Sequence, residues 1–230
     1  MVSDVVEDYL KTIYTIQREC GSPVGTTAIA DALDVKPPTV SSMLSTLAEE
    51  GLVERQKYAG VELTPAGERI ALEVIRHHRL IETFLLRHLD YGWSEVHDEA
   101  DVLEHHISES FERRLASALD DPVEDPHGDP IPDADLSAPS LPGADPLTDF
   151  EAGETVEVVR VSDRNRRVLE HFESVGIRPG ITLRIEDDAS IGMYTLVVED
   201  ETVQLPESIA DLTMVRPTNA SNRDLEVTDA

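Results

Sequence analysis

Pro37-Pro38-Thr39-Val40-Ser41-Ser42-Met43-Leu44-Ser45-Thr46-Leu47 is the stretch whose reading decides the fold. Val40, Met43, Leu44 and Leu47 repeat at helical spacing and make one apolar face. Between them stand Thr39, Ser41, Ser42, Ser45 and Thr46, all small and able to hydrogen-bond. Proline suits a first helical turn, and Gly51 lies where a glycine ends a helix. Upstream, Thr26 to Val35 reads as a shorter helix with Ile29, Ala30 and Leu33 inward. Two such helices and a tight turn make a helix-turn-helix, with a plain three-helix cap as the alternative. Leu52 to Leu63 alternates around a turn containing Gly60 and reads as a β-hairpin. A hairpin directly after the second helix is a wing, and it would carry Arg55, Lys57 and Tyr58 toward phosphates.

Working outward, residues 3–19 predict an amphipathic helix with Ser3 as N-cap and Val5, Val6, Tyr9, Leu10, Ile13 and Tyr14 on its stripe. Asp8 borders that stripe. On the other side, Thr64-Pro65 opens a long helix that runs to about His88. Its apolar surface is wide enough for a core and a partner subunit. Ser94 is expected to cap the next helix. There His97, Asp101, Glu104 and His105 recur at i, i+4, i+7 and i+8, one helical face. His78 and Glu82 repeat the i, i+4 pattern on the long helix. Two helices that each present histidine and carboxylate on one face can close around a divalent cation. A shorter helix with Phe111, Leu115 and Leu119 follows.

From Asp120 to Pro146, prolines alternate with aspartates and no helical or strand period survives, so an extended linker is expected. Runs around Val156–Val161, Leu183–Ile185, Tyr194–Val198 and Val203–Leu205 read as strands, with a short helix over 168–175. A five-strand barrel of the SH3 type fits that length. The expected organisation is mainly α with a C-terminal β domain. It divides into a winged helix over 1–64, a helical domain over 65–121, a linker over 122–147, a small barrel over 148–217 and a disordered tail over 218–230.

Charge bears on the partner. The chain carries 47 acidic and 19 basic residues, a net of -28. Such a balance is unusual for a nucleic-acid binder. Residues 1–64 are the least acidic part, with five basic and ten acidic side chains, against six and nineteen over 65–145. Only three lysines occur, Lys11, Lys36 and Lys57. Acid spread along the whole chain points to a cytoplasm of very high salt, where carboxylates keep a protein hydrated, rather than to an acidic interaction tail. The single Cys20 rules out an internal disulfide and fits a reducing compartment. Asp4, Glu7 and Asp8 interrupt any apolar N-terminal run, and no stretch of about 18 apolar residues exists, so a cytoplasmic protein is expected.

The order winged helix, histidine-carboxylate helices, proline-rich linker and small β domain resembles the diphtheria-toxin-repressor and manganese-repressor family of metal-dependent transcriptional regulators. The marks are Asp8-Tyr9-Leu10-Lys11-Thr12-Ile13-Tyr14, Pro38-Thr39-Val40-Ser41, Gly51-Leu52-Val53, His78-Arg79-Leu80-Ile81-Glu82, His97-Asp98-Glu99-Ala100, Glu104-His105 and Pro126-His127-Gly128-Asp129-Pro130-Ile131-Pro132. Each alone is weak; in this order, over residues 4–217, they are strong. The resemblance implies a homodimer that binds palindromic double-stranded operator DNA when loaded with Mn(II) or Fe(II), with two metals per subunit. It implies one metal site at Asp8, Asp101, Glu104 and His105 and another at His78, Glu82 and His97. His77 and His106 are expected to be ordinary histidines. Toxin-repressor members carry Met and Cys where this chain has Asp8 and Asp101, and all-oxygen-and-nitrogen ligands suit Mn(II) and Fe(II). Manganese-repressor members carry a second acid where this chain has Lys11, which argues against a paired cluster there. A third-domain ligand would fall near Asp163 or Asn165.

A mechanism is expected from this. Metal bound to Asp8 and to the later helix fixes the angle between DNA-binding and dimerisation halves, and so the spacing of two recognition helices on half-sites about one helical turn apart. Without metal, converging carboxylates should repel and splay the halves. Lys36, Pro38, Thr39, Ser41 and Ser42, with Arg55 and Lys57 on the wing, are the expected DNA contacts. The rival readings are a metal-independent winged-helix regulator and a dinuclear metal hydrolase, the latter without a nucleophile motif or phosphate-cradling loop. The β domain could also take the proline-rich linker as its own ligand.

Overall fold

A computed structural model of the chain describes residues 2–57, 59–141, 143–163, 165–188 and 192–218. Tyr58 of the expected wing and the expected disordered tail, apart from Thr218, lie outside the described residues. The chain forms two compact units. One comprises Met1–Ile81, Ala100–Asp121 and Ile131–Pro139; the other comprises Glu82–Glu99, Pro122–Pro130 and the chain from Ser140 on.

The first unit opens with α1 (Asp4–Cys20), α2 (Thr26–Ala32) and α3 (Pro37–Glu49), followed by the antiparallel hairpin β1 (Val53–Gln56) and β2 (Gly60–Leu63). The periodicity of α1 buries Val6, Tyr9, Leu10, Ile13, Tyr14 and Ile16. Val5 does not join them and is 52% exposed, because its position on the helix lies beyond the edge of the buried stripe. Ile29, Val40, Leu44, Leu47 and Val61 complete one core with Leu72 and Ile75 from α4 (Pro65–His88). Truncating one of these buried leucines to alanine costs about 2–5 kcal/mol. Two devices fix the wing. Val24 exchanges backbone hydrogen bonds with Val61 at 2.8 and 3.0 Å. Gly60, at φ 137°, passes so close to Val24 that a Cβ would meet its carbonyl oxygen at 2.1 Å. Thr64 caps α4, its hydroxyl accepting from Gly67 N–H at 3.2 Å.

The unit boundary falls within α4 and within α5 (Val96–Leu103). In the first unit, α6 (Glu109–Ala118) is capped by Ser108, which accepts from Phe111 N–H. Leu115 and Leu119 of the expected face are buried, while Phe111 is 50% exposed. Part of the proline-rich stretch returns here. Arg76 is buried and donates to Glu112 and to the Pro132 carbonyl, both at 2.6 Å. Leu136 packs against the winged-helix core, and Arg18 donates to the Pro139 carbonyl at 3.0 Å.

The second unit holds a six-stranded antiparallel sheet in the order β3-β8-β4-β5-β6-β7. Its strands are β3 (Asp145–Pro146), β4 (Thr155–Val161), β5 (Thr182–Asp188), β6 (Met193–Val198), β7 (Glu201–Pro206) and β8 (Thr213–Pro217), with α7 (Arg166–Ser174) after β4 and the short α8 (Glu207–Ala210) before β8. The expected SH3-type barrel is the observed architecture, with the very short β3 as an added edge. Alternation works as it should. Val156, Val158 and Val161 point inward, Leu183 and Ile185 join them, and Leu169 and Phe172 cover the core from α7. Ser94 does not cap α5, which begins two residues later. It is buried, and its hydroxyl donates to Glu173 at 3.1 Å.

Candidate functional site

Two clusters of ligand-type side chains stand out, one in each unit. In the first unit α5 ends at Leu103, so Glu104 and His105 occupy the turn just beyond it. The single helical face expected from the spacing is therefore broken there. A hydrogen bond from Glu104 N–H to Ala100 and another from His106 N–H to Leu103 hold the turn, and the buried His77 ring places Nδ1 3.1 Å from the Glu104 carbonyl oxygen. His77 is thus part of the scaffold, an ordinary core histidine as expected.

This geometry points the Glu104 side chain, which is 1% exposed, between two groups of partners. Oε2 lies 2.5 Å from His78 Nδ1 and 2.7 Å from the Lys11 ammonium. Oε1 lies 3.4 Å from His105 Nε2, which is also 3.0 Å from Asp8 Oδ1. Ligand atoms of Asp8, Glu104 and His105 all lie within 4.8 Å of one another. Glu7, which the sequence reading passed over, accepts from His105 Nδ1 at 2.6 Å. That bond fixes the ring and leaves Nε2 toward Asp8 and Glu104. Burial disfavours the His105 cation, but the hydrogen bond to Glu7 and the charges of Glu104 and Asp8 outweigh it and hold the imidazolium above its usual range. The Asp8 carboxyl is pushed up by its own burial and by Glu104, against the pull of His105 and Lys11.

The carboxylates do not converge without a cation, as the splaying mechanism supposed. Lys11 stands among them, donating to Asp101 at 3.0 Å as well as to Glu104. Asp101 itself is half exposed. Of the predicted second site, Glu82 and His97 come together, while His78 Nδ1 is engaged with Glu104 in the first unit.

In the second unit, His97 Nδ1 lies 3.2 Å from Glu82 Oε1 and 3.3 Å from Asp163 Oδ2. Burial alone would raise the Asp163 carboxyl; the neighbouring His97 reverses this and holds it below the ordinary aspartate range. Asn165 takes no part, because its side chain caps α7 by accepting from Arg167 N–H at 3.0 Å.

His127 approaches the same Glu82 oxygen at 3.7 Å. It sits on a loop built by Asp125, whose carboxylate accepts from His127 N–H at 2.8 Å and Asp129 N–H at 2.9 Å. Gly128 has φ 89°, and a Cβ there would meet the Val159 carbonyl oxygen at 2.0 Å, so only glycine lets this loop reach β4. The His127 carbonyl accepts from Val161 N–H at 3.0 Å, and Arg160 donates to Asp129 at 2.8 Å. His127 Nε2 faces the Trp93 carbonyl at 3.1 Å. A carbonyl only accepts, so Nε2 carries the hydrogen. In the neutral ring Nδ1 is then a bare, buried lone pair without a hydrogen-bond partner, facing a carboxylate. Such an atom needs a proton or a metal ion. Burial disfavours the proton, yet Glu82, Asp125 and Asp163 push the His127 pKa up to about 9. An orphaned imidazole nitrogen among carboxylates fits a divalent cation. The proline-rich motif around His127 was the signal for it, but the surrounding composition read as linker.

On the winged helix, Lys36, Pro38, Thr39, Ser41 and Ser42 are all exposed at the start of α3, and Arg55 and Lys57 are exposed on the wing. Arg55 donates to Ser45 of α3 at 2.8 Å, which ties wing and second helix together.

Known proteins share this arrangement. Residues 1–61 match the iron dependent repressor N-terminal DNA binding domain, 64–133 the iron dependent repressor metal binding and dimerisation domain, and 146–217 the FeoA domain. The chain is 34% identical over 223 residues to the iron-dependent repressor IdeR of Mycobacterium tuberculosis, covering 90% of this chain and 94% of that protein. It is 31% identical over 218 residues to the diphtheria toxin repressor of Corynebacterium diphtheriae, covering 90% and 94%. Among solved structures it resembles a manganese-dependent transcriptional repressor in complex with manganese, with a TM-score of 0.86 and 39% identity over 93% of this chain and 100% of that one. Its relatives are repressors and not enzymes, and no described helix is long and apolar enough to cross a membrane. By domain order and by identity along 90% of its length, the chain belongs to the iron-dependent, diphtheria-toxin-repressor family and is a metal-dependent transcriptional repressor.

Proposed function

We propose that this repressor acts as a homodimer that grips palindromic operator DNA when each subunit holds two divalent ions, Mn(II) or Fe(II), with a lean to Mn(II). The observation that carries this reading is the meeting of Asp8, on α1 of the winged helix, with Glu104 and His105 beyond α5. A cation there would tie the DNA-binding helices to the dimerisation helices. The donor set is carboxylate oxygen and imidazole nitrogen, which suits these metals better than thiophilic ones. Asp8, Glu104 and His105 Nε2 would hold the ion, which would supply the positive charge that offsets the two carboxylates. The protein side orients that nitrogen through Glu7 and seats Glu104 through its turn. Metal acts by favouring one arrangement of the two halves over others.

The second ion is assigned to Glu82, His97, Asp163 and His127. The ligands first expected there were His78, Glu82 and His97; His127 and Asp163 are added on the geometry. The loop that carries His127 is the proposed contact between the proline-rich stretch and the β domain. On DNA, α3 would present Pro38, Thr39, Ser41 and Ser42, and Lys36, Arg55 and Lys57 would meet phosphates. Small side chains make few strong base contacts, so DNA shape carries part of the specificity. The acidic, lysine-poor composition supports a working environment of high salt. There, added cations screen acid near the DNA and offset the usual salt penalty; a steep loss of affinity with added KCl would contradict this.

The test is titration of metal-stripped protein with Mn(II) and, anaerobically, Fe(II) in high KCl. Two tight ions per subunit, followed by operator binding only in the loaded protein, are expected. Operator binding that ignores both metals would support the metal-independent reading instead.

A further inference from the structure

Lys11 completes a set of metal-ligand side chains. Ligand atoms of His78, Asp101 and Glu104 lie within 4.8 Å of one another, as those of Asp8, Glu104 and His105 do. Glu104 belongs to both sets, one oxygen turned to each. In the first set the central place is taken by the Lys11 ammonium, 2.7 Å from Glu104, 3.0 Å from Asp101 and 3.1 Å from His78 Nδ1. The side chain is only 21% exposed, so the contact is shielded from water. An ammonium carries one positive charge and three hydrogens, and it donates but never accepts. It satisfies carboxylates as a small cation does, but it is covalently tied to α1 and cannot leave.

We propose that Lys11 is a tethered cation occupying the second cation position of this cluster. It limits the cluster to one exchangeable divalent ion, at Asp8, Glu104 and His105, and it keeps α1 attached to Asp101 and Glu104 when that ion is absent. The proposal rests on the reading of that corner as a metal site. One fixed positive charge offsets part of the repulsion among Asp8, Asp101 and Glu104. It also sets the metal threshold, because the incoming ion shares Glu104 with a cation already in place.

The experiment counts bound Mn(II) in the full chain by equilibrium dialysis, with electron paramagnetic resonance of the bound ions, for wild type, Lys11→Glu and Lys11→Gln. Lys11→Glu removes the ammonium and adds a ligand. It is expected to bind one more Mn(II) per subunit than wild type, with the resonance broadened by a close neighbouring ion. Lys11→Gln guards against a glutamate variant that folds poorly. It should melt at lower temperature than wild type when stripped of metal, and bind Mn(II) at Asp8, Glu104 and His105 about tenfold more tightly, the scale of one charge-assisted hydrogen bond released from Glu104. An unchanged count in Lys11→Glu, or unchanged or weaker affinity at Asp8, Glu104 and His105 in Lys11→Gln, overturns the assignment while wild type still binds metal. Wild type that binds no Mn(II) overturns the metal reading itself, and the assignment with it.

Discussion

The two clusters are made from the same residue types but solve the same electrostatic problem differently. Around Glu104, neutralisation comes from a largely buried lysine, Lys11, and from His105, and the rim is open, with Asp8 and Asp101 each about half exposed. Around Glu82, the surroundings are rigid. Glu82 and His127 are fully buried, and His127 rides on a loop fixed by Asp125, Gly128 and β4. An open, lysine-balanced cluster can tolerate loss of an ion. A closed one with an orphaned nitrogen fits a resident cation. We therefore expect the first to respond to metal concentration and the second to hold its ion more persistently. Exchange rates of the two ions should differ accordingly.

The largest effect should come from Glu104→Ala. This substitution removes the one side chain shared by Lys11, His78 and His105, so metal-dependent operator binding should be lost while the dimer persists. Gel-shift and sedimentation measurements read the two properties separately. Operator binding by this variant that still depends on metal would mean that the open cluster is not the sensor.

Gly128→Ala should break the closed cluster without touching a ligand. The added Cβ collides with the Val159 carbonyl, and the backbone at φ 89° disfavours any other residue. We expect a stability loss of at least ~2 kcal/mol, as for other strained glycine replacements. One bound ion should be lost while the Glu104 cluster still takes its own. Loss of both ions together would show that the clusters are not independent.

A smaller effect is expected of Glu7→Gln. Glu7 touches no proposed metal position; it holds His105 Nδ1 at 2.6 Å. Outer partners of this kind are worth about 10–100-fold in metal affinity. We expect the lower end, about tenfold, because glutamine still accepts a hydrogen bond and the site is partly open. Affinity at the closed cluster should not change.

The sequence exposed the fold well because its periodicities are clean: the α1 stripe, the α3 face and the alternation of β4 bury what they predict, apart from the exposed Val5 and the partly buried Met43. The open cluster was legible in type, since Asp101, Glu104 and His105 repeat at helical spacing. Its geometry was not. Helical spacing says nothing of where a helix stops, and α5 stops one residue before Glu104. Nor could spacing show Glu7 and Lys11 entering from α1, because those contacts join residues about a hundred positions apart in the chain. The closed cluster was half legible. Glu82 and His97 were read, but Asp163 was only a loose candidate. His127 was hidden by a proline-rich composition that suggested no fixed structure, and it needs Asp125 and Gly128 to be placed at all.

That same stretch yields the smallest prediction, at Asp133. Its carboxylate accepts from Asp135 N–H at 2.9 Å and Ser137 N–H at 3.0 Å, a fold-back that presents Leu136 to the winged-helix core. The backbone and side chain of Ser137, with Asp135 adding to them, hold the Asp133 carboxyl below its ordinary value. A depressed carboxylate contributes its stabilisation above the unfolded-state value of about 4, and loses it as pH falls through the lower folded-state value. Hydrogen exchange at the Ser137 amide should therefore be protected at neutral pH beyond what Asp133→Ala retains, and the two proteins should converge in acid. Because the carboxylate is fully exposed, solvent screens the effect, and neither cluster should lose affinity for its ion. A change in metal binding in Asp133→Ala would mean that this fold-back, and not the clusters' own ligands, sets the difference between them.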